Sequence, residues 1–170
     1  PFIIKTTTES LREYPTLNAS WGNNTIVKNK QINVSVAIDT PTGLSVPVIH
    51  NANLLSITQL SHALHNLASK AKNGKLSIED VKDGTFTVNN TGALGSIISS
   101  PIINYPQAAI LASELIVARP VVIDDSICIR SIMNLCISFD HRVLDGSDAA
   151  KFMQAIKHRL ESINDKMPLD

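Results

Sequence analysis

The chain has 170 residues, of which 44% are hydrophobic and 18% charged, and 15 basic and 15 acidic residues give a formal net charge of zero. This charge balance argues against a nucleic-acid-binding protein held by electrostatic attraction, and the hydrophobic fraction excludes an acidic disordered chain. The longest apolar stretch, 108–123, is interrupted by Glu114, Arg119 and Pro120 and is too short for a membrane-spanning helix. The sequence therefore predicts a globular chain whose partners are neither nucleic acid nor a membrane.

The first 50 residues are predicted to form one helix and two strands. Apolar residues recur on one face between Phe2 and Tyr14, which predicts a helix that Pro15 ends. Apolar and polar residues alternate over Ile32–Asp39, which indicates a strand with one buried face. A second strand is predicted over Leu44–Ile49.

The middle of the chain is predicted to contain a second helix. It begins after Ser56, with Gln59 as the partner of a capping box, and ends at Asn73-Gly74. Residues 77–84 are expected to form a short helical turn.

The rest of the chain is predicted to be rich in strands and to close with a helix. Asp124-Asp125 indicates a hairpin turn, and the final helix is expected from Ser147 to about Ile163. The predicted strands are Thr85–Asn89, Ala108–Val117, Ile127–Ile129 and Met133–Phe139. Helices and strands mix without repeats, so the sequence predicts one α+β domain.

Four residues of reactive types are interpreted as structural. His62 and His65 lie beside the apolar stripe of the second helix, with no acidic or cysteine residue at ligand spacing. Cys128 and Cys136 lack the spacing of a disulfide framework, a metal site or a redox motif, so we expect two buried, reduced thiols and no metal site.

The segment most typical of a catalytic site is 140–146, Asp-His-Arg-Val-Leu-Asp-Gly, between an apolar strand and the start of a helix. His141 can act there as a general base near neutral pH, and Asp145 can hold the local geometry or a partner charge. The spacing alone is equally compatible with a structural role. However, four charged residues directly behind a hydrophobic strand need partners or a polar cavity.

A second unusual segment is 86–95, a strand that runs into a polar turn with two glycines. Its composition is that of an ordinary Asn- and Gly-rich turn. If the segment is a functional site, its backbone N–H groups and side-chain amides would donate hydrogen bonds to a negative charge that develops during a reaction. Both interpretations stay open on composition alone.

Four blocks of the sequence resemble, in the correct order, the catalytic domain of 2-oxo-acid dehydrogenase dihydrolipoyl acyltransferases. They are SFDHRVLDG at 138–146, FTVNNTGALGS and PIINYPQAAIL within 86–111, VAIDTPTGLSVPVI at 36–49, and LNASW from Leu17. The resemblance covers essentially the whole chain.

This resemblance implies an α+β fold like that of chloramphenicol acetyltransferase, assembled as trimers with active sites between subunits. In the family, trimers assemble further into cubic or icosahedral cores of 24 or 60 subunits. The implied reaction moves an acyl group from S-acyl-dihydrolipoyl lysine to coenzyme A, which is a substrate. The lipoyl group is carried on a separate lipoyl domain and no metal takes part. Other implied partners are the decarboxylase and dihydrolipoyl dehydrogenase components.

The resemblance also gives roles to five residues. It makes His141 the general base for the CoA thiol, and it makes Asp145 the residue that keeps the site ordered. Asn89 stands where the family usually has Ser or Thr, whose hydroxyl contacts the oxyanion, and its amide can donate instead. Asp39 and Asn90 match positions that contact CoA, although Asp39 also fits a turn residue at a strand end.

The chain is expected to be one acyltransferase domain, 1–170, incomplete at its N-terminus. Family members have an earlier stretch with an arginine and further CoA contacts, preceded by lipoyl and peripheral-subunit-binding domains. Pro1 is not a methionine, and no secretory signal opens the sequence. At the other end, Met167–Leu169 are expected to form an exposed apolar contact.

Several alternatives stay open at this point. The block at 86–111 is most similar to bacterial branched-chain members, so we expect the transferred group to be a branched-chain acyl group. Acetyl is the second alternative and succinyl the third. A chloramphenicol-type acetyltransferase would use the same histidine, whereas a non-catalytic scaffold subunit would be expected to lack His141. The expected location is the bacterial cytoplasm, or the mitochondrial matrix for a eukaryotic source.

Overall fold

The computed structural model describes residues 1–164, so the C-terminal contact expected at Met167–Leu169 lies outside the described residues. The three α-helices within this range are α1 (Phe2–Glu13), α2 (Ile57–Lys72) and α3 (Gly146–Glu161). Two short 3-10 turns span Ala52–Leu54 and Gly92–Leu94. No helix among these residues has both the length and the apolar character needed to cross a membrane.

Five strands form one mixed sheet, in the order β11-β8-β7-β3-β6. β7 runs parallel to both of its neighbours, and the edge strands β11 and β6 are antiparallel to theirs. Three separate antiparallel pairs are β1-β2, β4-β5 and β9-β10. The strands are β1 (Ala19–Gly22), β2 (Thr25–Lys28), β3 (Val34–Val36), β4 (Ile38–Thr40), β5 (Gly43–Ser45), β6 (Val48–Ile49), β7 (Phe86–Asn90), β8 (Ala109–Ser113), β9 (Val117–Ile123), β10 (Ser126–Ile132) and β11 (Leu135–Phe139). The predicted α+β class with a mixed sheet is confirmed.

The core joins the helices to the sheet around Phe152 of α3. Its ring lies 5.7 Å from that of Phe86 on β7 and 6.3 Å from that of Tyr14 after α1, both in edge-on geometry. Arg159, in the last turn of α3, forms ion pairs with Glu9 and Glu13 of α1. These contacts fix α3, and with it the segment that precedes α3, against the sheet.

Three strands predicted as continuous are each divided. Ile32–Asp39 becomes β3 and β4: the N–H of Ala37 still donates to the carbonyl of Val88 on β7, and beyond Ala37 the chain pairs with β5 instead of the sheet. Leu44–Ile49 becomes β5 and β6 around Pro47, which has no N–H to donate. Ala108–Val117 likewise becomes β8 and the start of β9.

β3 is buried on both faces, which contradicts the predicted half-buried strand. Val34 and Ser35, whose side chains point to opposite faces of the sheet, are 0% and 1% exposed. The Ser35 hydroxyl accepts a hydrogen bond from the Gln107 side-chain NH₂ group at 3.1 Å, and the Gln107 side-chain oxygen accepts one from the Thr87 hydroxyl at 2.5 Å. The polar residues of the alternating pattern therefore face an internal hydrogen-bond network.

The remaining local signals give a mixed result. The capping box of Ser56 and Gln59 is present at the start of α2. Asp124 and Asp125 form the β9-β10 turn with φ values of 48° and 59°. The β1-β2 hairpin is missing from the predicted elements, whereas residues 77–84 contain hydrogen-bonded turns where a short helical turn is predicted.

Asp80 connects α2 to the turn that precedes β7. Its carboxylate accepts hydrogen bonds from the Lys70 ammonium at 2.8 and 3.1 Å and from the Ser77 N–H and hydroxyl, both at 2.9 Å. Its backbone carbonyl accepts from Val48 of β6. The hydrogen bonds from Lys70 and Ser77 lower the pKa of Asp80 to about 2.

Replacing Asp80 with asparagine is expected to lower the melting temperature more at pH 7 than at pH 3. The folded-state pKa of about 2 lies below the unfolded value of about 3.9. The stabilisation is therefore complete above the unfolded value and is lost as the pH falls through the folded one. Thermal unfolding by circular dichroism measures both differences, with Asp83→Asn as a nearby control. An equal loss at both pH values would contradict this role of the carboxylate.

Candidate active site

His141 and Asp145 lie in the turn between β11 and α3. The N–H of Asp140 continues the sheet by donating to the Ala108 carbonyl at 2.8 Å, and the chain then turns into α3 with Asp145 as its N-cap. The His141 Nδ1 lies 4.0 Å from the Asp145 Oδ1, and the side chains are 72% and 82% exposed. The Asp145 carboxylate makes no capping hydrogen bond. The structure thus brings the two residues together and leaves both side chains open to solvent.

The other two charged residues of this segment pair with each other. The Arg142 guanidinium holds the Asp140 carboxylate through two nitrogens, at 2.9 Å from Nε and 2.6 Å from a terminal nitrogen. These hydrogen bonds lower the pKa of Asp140 despite its partial burial. The Arg142 guanidinium carbon also lies 4.8 Å from the ring centroid of Trp21 on β1. This packing holds the turn that carries His141, and the only sequence signal for Trp21 was its place in the LNASW block.

Asn89, Asn90 and Asp39 lie at or just beyond the ends of the neighbouring parallel strands β7 and β3, at the other end of the sheet. Asn89 is half-buried at the end of β7, and its backbone carbonyl accepts a hydrogen bond from the Ser113 hydroxyl at 3.3 Å. The Asn90 side-chain oxygen accepts one from the Ala93 N–H at 3.2 Å. Asp39 is exposed on β4, just beyond the end of β3, which runs parallel to β7.

The strand register separates Asn89 from His141 within one chain. Asn89 aligns with Ala112 on β8, and Ala112 aligns with Cys136 on β11, three residues before Phe139. A rise of about 3.3 Å per residue and a strand spacing of about 4.8 Å place the Cα atoms of Asn89 and Phe139 about 14 Å apart. His141 lies beyond Phe139, so the chain carries a histidine half-site (His141, Asp145) and a separate asparagine half-site (Asn89, Asn90, Asp39).

The residues interpreted as structural do not form a further site. His62 and His65 are exposed on α2, and Cys128 and Cys136 are half-buried free thiols, less buried than expected. Within residues 1–164, no three His, Cys, Asp or Glu side chains are grouped to hold a metal ion.

Comparison with known proteins shows that the chain matches one protein family. Residues 1–167 match the family model described as 2-oxoacid dehydrogenases acyltransferase (catalytic domain). The lipoamide acyltransferase component of the branched-chain alpha-keto acid dehydrogenase complex of Bacillus subtilis (strain 168) is 48% identical over 166 residues, which are 97% of this chain. The aligned part is 39% of that protein, so the chain spans about two fifths of this relative's length.

Solved structures with the same fold are also similar in sequence. A probable dihydrolipoamide acetyltransferase from Listeria monocytogenes 4b F2365 has a TM-score of 0.96 and 50% identity, covering 99% of this chain and 73% of that one. An Azotobacter vinelandii dihydrolipoamide acetyltransferase has a TM-score of 0.92 and 32% sequence identity, and the match covers 95% of this chain and 68% of that one. That structure was determined to study the role of a serine, a histidine and an asparagine in the catalytic mechanism. The cubic core of a pyruvate dehydrogenase multienzyme complex has a TM-score of 0.91 and 32% sequence identity, and the match covers 95% of this chain and 68% of that one.

Chloramphenicol acetyltransferase is similar in fold alone. Its TM-score is 0.57 at 13% identity, covering 94% of this chain and 76% of that one. The expected chloramphenicol-acetyltransferase-like fold is therefore confirmed.

Proposed function

Because the chain belongs to the family of 2-oxoacid dehydrogenase acyltransferase catalytic domains, we propose that it transfers an acyl group from S-acyl-dihydrolipoyl lysine to coenzyme A. The observation that carries the proposal is the exposed His141, held at the end of a rigid strand with a carboxylate 4.0 Å from its ring. CoA enters as a substrate, and the lipoyl group arrives on a separate lipoyl domain. No step needs a metal ion.

The reaction begins with proton transfer to His141. A free thiol has a pKa of about 8.5 and its thiolate is the nucleophile, so an imidazole base beside the CoA thiol increases the reactive form. The thiolate attacks the acyl carbonyl carbon, and the carbonyl oxygen takes the negative charge. When the tetrahedral intermediate collapses, the bond to the dihydrolipoyl sulfur breaks and that sulfur takes the proton from His141. Asp145 holds the imidazole in position.

The Azotobacter vinelandii acetyltransferase supports the choice of Asn89, His141 and Asp145. The number of residues from Asn89 to His141 equals the number from the serine to the histidine in that protein. The number from His141 to Asp145 equals the number from that histidine to the asparagine. The polar side chain of Asn89 retains a hydrogen-bond donor for the oxyanion. Asp39 and Asn90, beside Asn89, are proposed to contact CoA.

The two half-sites require an assembly of copies. A base and an oxyanion donor must both lie within about 3 Å of the reacting groups, which the separation of Asn89 and His141 prevents inside one chain. We therefore place the reaction at subunit interfaces of a trimer, where the histidine half-site of one copy faces the asparagine half-site of the next. The likeness to a cubic core supports further assembly into a larger core.

The relatives support a setting for the proposed reaction. The Bacillus subtilis relative favours a branched-chain acyl group, and the Listeria monocytogenes structure makes acetyl the alternative. The proposal includes the lipoyl domains, the decarboxylase and the dihydrolipoyl dehydrogenase as partners, residues 1–170 as the acyltransferase domain, and the bacterial cytoplasm as the location.

Replacing His141 with alanine is expected to lower kcat by about 10²–10⁴-fold, the usual contribution of a general base. Acyl transfer from an S-acyl-dihydrolipoamide to CoA, followed at 232 nm through the thioester, measures the loss. His65→Ala removes an exposed histidine of α2 and serves as the matched control with wild-type turnover. Equal rates in the His141→Ala and wild-type proteins would refute the proposed reaction.

Replacing Asn89 with alanine is expected to lower kcat by about 10²–10³-fold, as for other single oxyanion donors. The KM for CoA should change little, because the contact forms in the transition state. Asn89→Ser returns a donor and is expected to recover much of the rate in the same assay. Near-wild-type turnover of Asn89→Ala would remove this residue from the mechanism.

A further inference from the structure

Glu114 is a buried carboxylate just after β8 that the proposed reaction does not use. It is 3% exposed. One carboxylate oxygen accepts a hydrogen bond from the Thr91 hydroxyl at 2.8 Å, and the other accepts one from the Ser99 hydroxyl at 2.5 Å. Within the described part of the chain, no lysine, arginine or histidine forms an ion pair with it. The carboxylate is therefore held by neutral donors alone.

These donors keep Glu114 charged at neutral pH. Burial raises the pKa of Glu114, but hydrogen bonds from surrounding side chains, the Ser99 and Thr91 hydroxyls among them, outweigh burial and hold the pKa below its ordinary value. An ionised carboxylate only accepts hydrogen bonds and can receive several hydroxyls at once. Glu114 thus orders whatever segments supply those hydroxyls.

Most of the donors belong to one loop, 91–99, which begins at the residue after β7. Thr91 and Ser99 at its two ends bond to the Glu114 carboxylate, and the Ser96 carbonyl between them accepts from the Leu115 N–H at 2.8 Å. A Cβ on Gly92 would lie 2.3 Å from the Glu114 carbonyl carbon, so the loop backbone rests directly on the Glu114 backbone. The loop is fixed at both ends and in its middle.

The same loop holds the asparagine half-site. The Ala93 N–H donates to the Asn90 side chain at 3.2 Å, and the Thr91 hydroxyl also lies 3.4 Å from the Ser113 carbonyl. The Ser113 hydroxyl in turn donates to the Asn89 carbonyl. A displacement of Thr91 would therefore be passed to both asparagines.

We infer that Glu114 is a positioning residue, whose carboxylate holds loop 91–99 against the end of β8 and thereby places Asn89 and Asn90 for acyl transfer. The inference rests on the proposed function, since it gives a role to a group behind the same site. Glu114 itself does not touch the reacting atoms.

Two variants remove the contact from opposite sides. Glu114→Gln keeps the shape but replaces an acceptor oxygen with an NH₂ group, and Thr91→Val removes one donor hydroxyl at nearly constant volume. Each is expected to lower kcat about 10-fold, because small displacements of a site group are costly. In the Asn89→Ala background the same changes should lower kcat less than about 2-fold, because the loop affects kcat through Asn89, whereas Asn90 is proposed to contact CoA and affects its KM.

Hydrogen exchange supplies a readout that does not depend on turnover. Backbone amides of residues 91–96 should exchange faster in Glu114→Gln and Thr91→Val than in the wild-type protein. Thr85→Val is the matched control. Thr85 is buried just before β7, at the end of that strand away from loop 91–99, and its hydroxyl forms hydrogen bonds with the Asn33 backbone. It should lower stability and leave kcat and exchange in 91–96 unchanged.

The outcomes separate this inference from the proposed function. Equal falls of kcat in the Asn89 and Asn89→Ala backgrounds, or unchanged exchange in 91–96, would overturn the positioning role. If Glu114→Gln and Thr91→Val both keep the wild-type kcat while His141→Ala is inactive, the positioning role is overturned and the proposed reaction stands. An active His141→Ala protein refutes the reaction, and faster exchange would still show that Glu114 holds the loop.

Discussion

β8 lies between a parallel neighbour, β7, and an antiparallel neighbour, β11, and this arrangement sends Asn89 and His141 to opposite ends of one sheet. The end of β7 leads into loop 91–99, whereas the end of β11 leads into the turn before α3. Neither position can be shifted without breaking a strand's register with the buried β8, because a one-residue slip would turn every side chain of the shifted strand to the other face. The direction of β11 therefore decides where the proposed chemistry can take place.

The proposed acyl transfer requires a chain built in this way to present each half of its site to another copy. His141 and Asp145 are exposed, and their contact of 4.0 Å is at the outer limit of an ion pair. A neighbouring subunit would exclude water from both side chains and strengthen their interaction in a lower dielectric. Each half-site is meanwhile rigid by itself, since Arg142 and Trp21 hold the turn at His141 and Glu114 holds the loop after Asn89. Such preorganisation suits a reaction whose charge appears only in the transition state.

The sequence predicted local features well and non-local ones poorly. The capping box at Ser56 and the turn at Asp124-Asp125 are set by neighbouring residues, so their patterns are visible in the sequence. The breaks at Ala37 and Pro47 and the burial of Ser35 depend on which strands lie alongside, which alternation does not reveal. The motif at His141 could be found from its residues and from the resemblance. Its separation from Asn89 follows only from strand order, and Glu114 was visible merely as a charge that interrupts an apolar stretch.

Subunit mixing tests most directly whether the two half-sites of one active site come from different chains. His141→Ala and Asn89→Ala proteins, each nearly inactive alone, are unfolded and refolded together in equal amounts. If each site joins His141 of one copy to Asn89 of the next in a cyclic trimer, random mixing gives about one quarter of wild-type activity. Wild-type protein mixed equally with the doubly substituted protein should give the same quarter. No recovery in the first mixture, with about half of the activity in the second, would contradict the account by placing both residues of a site in one chain.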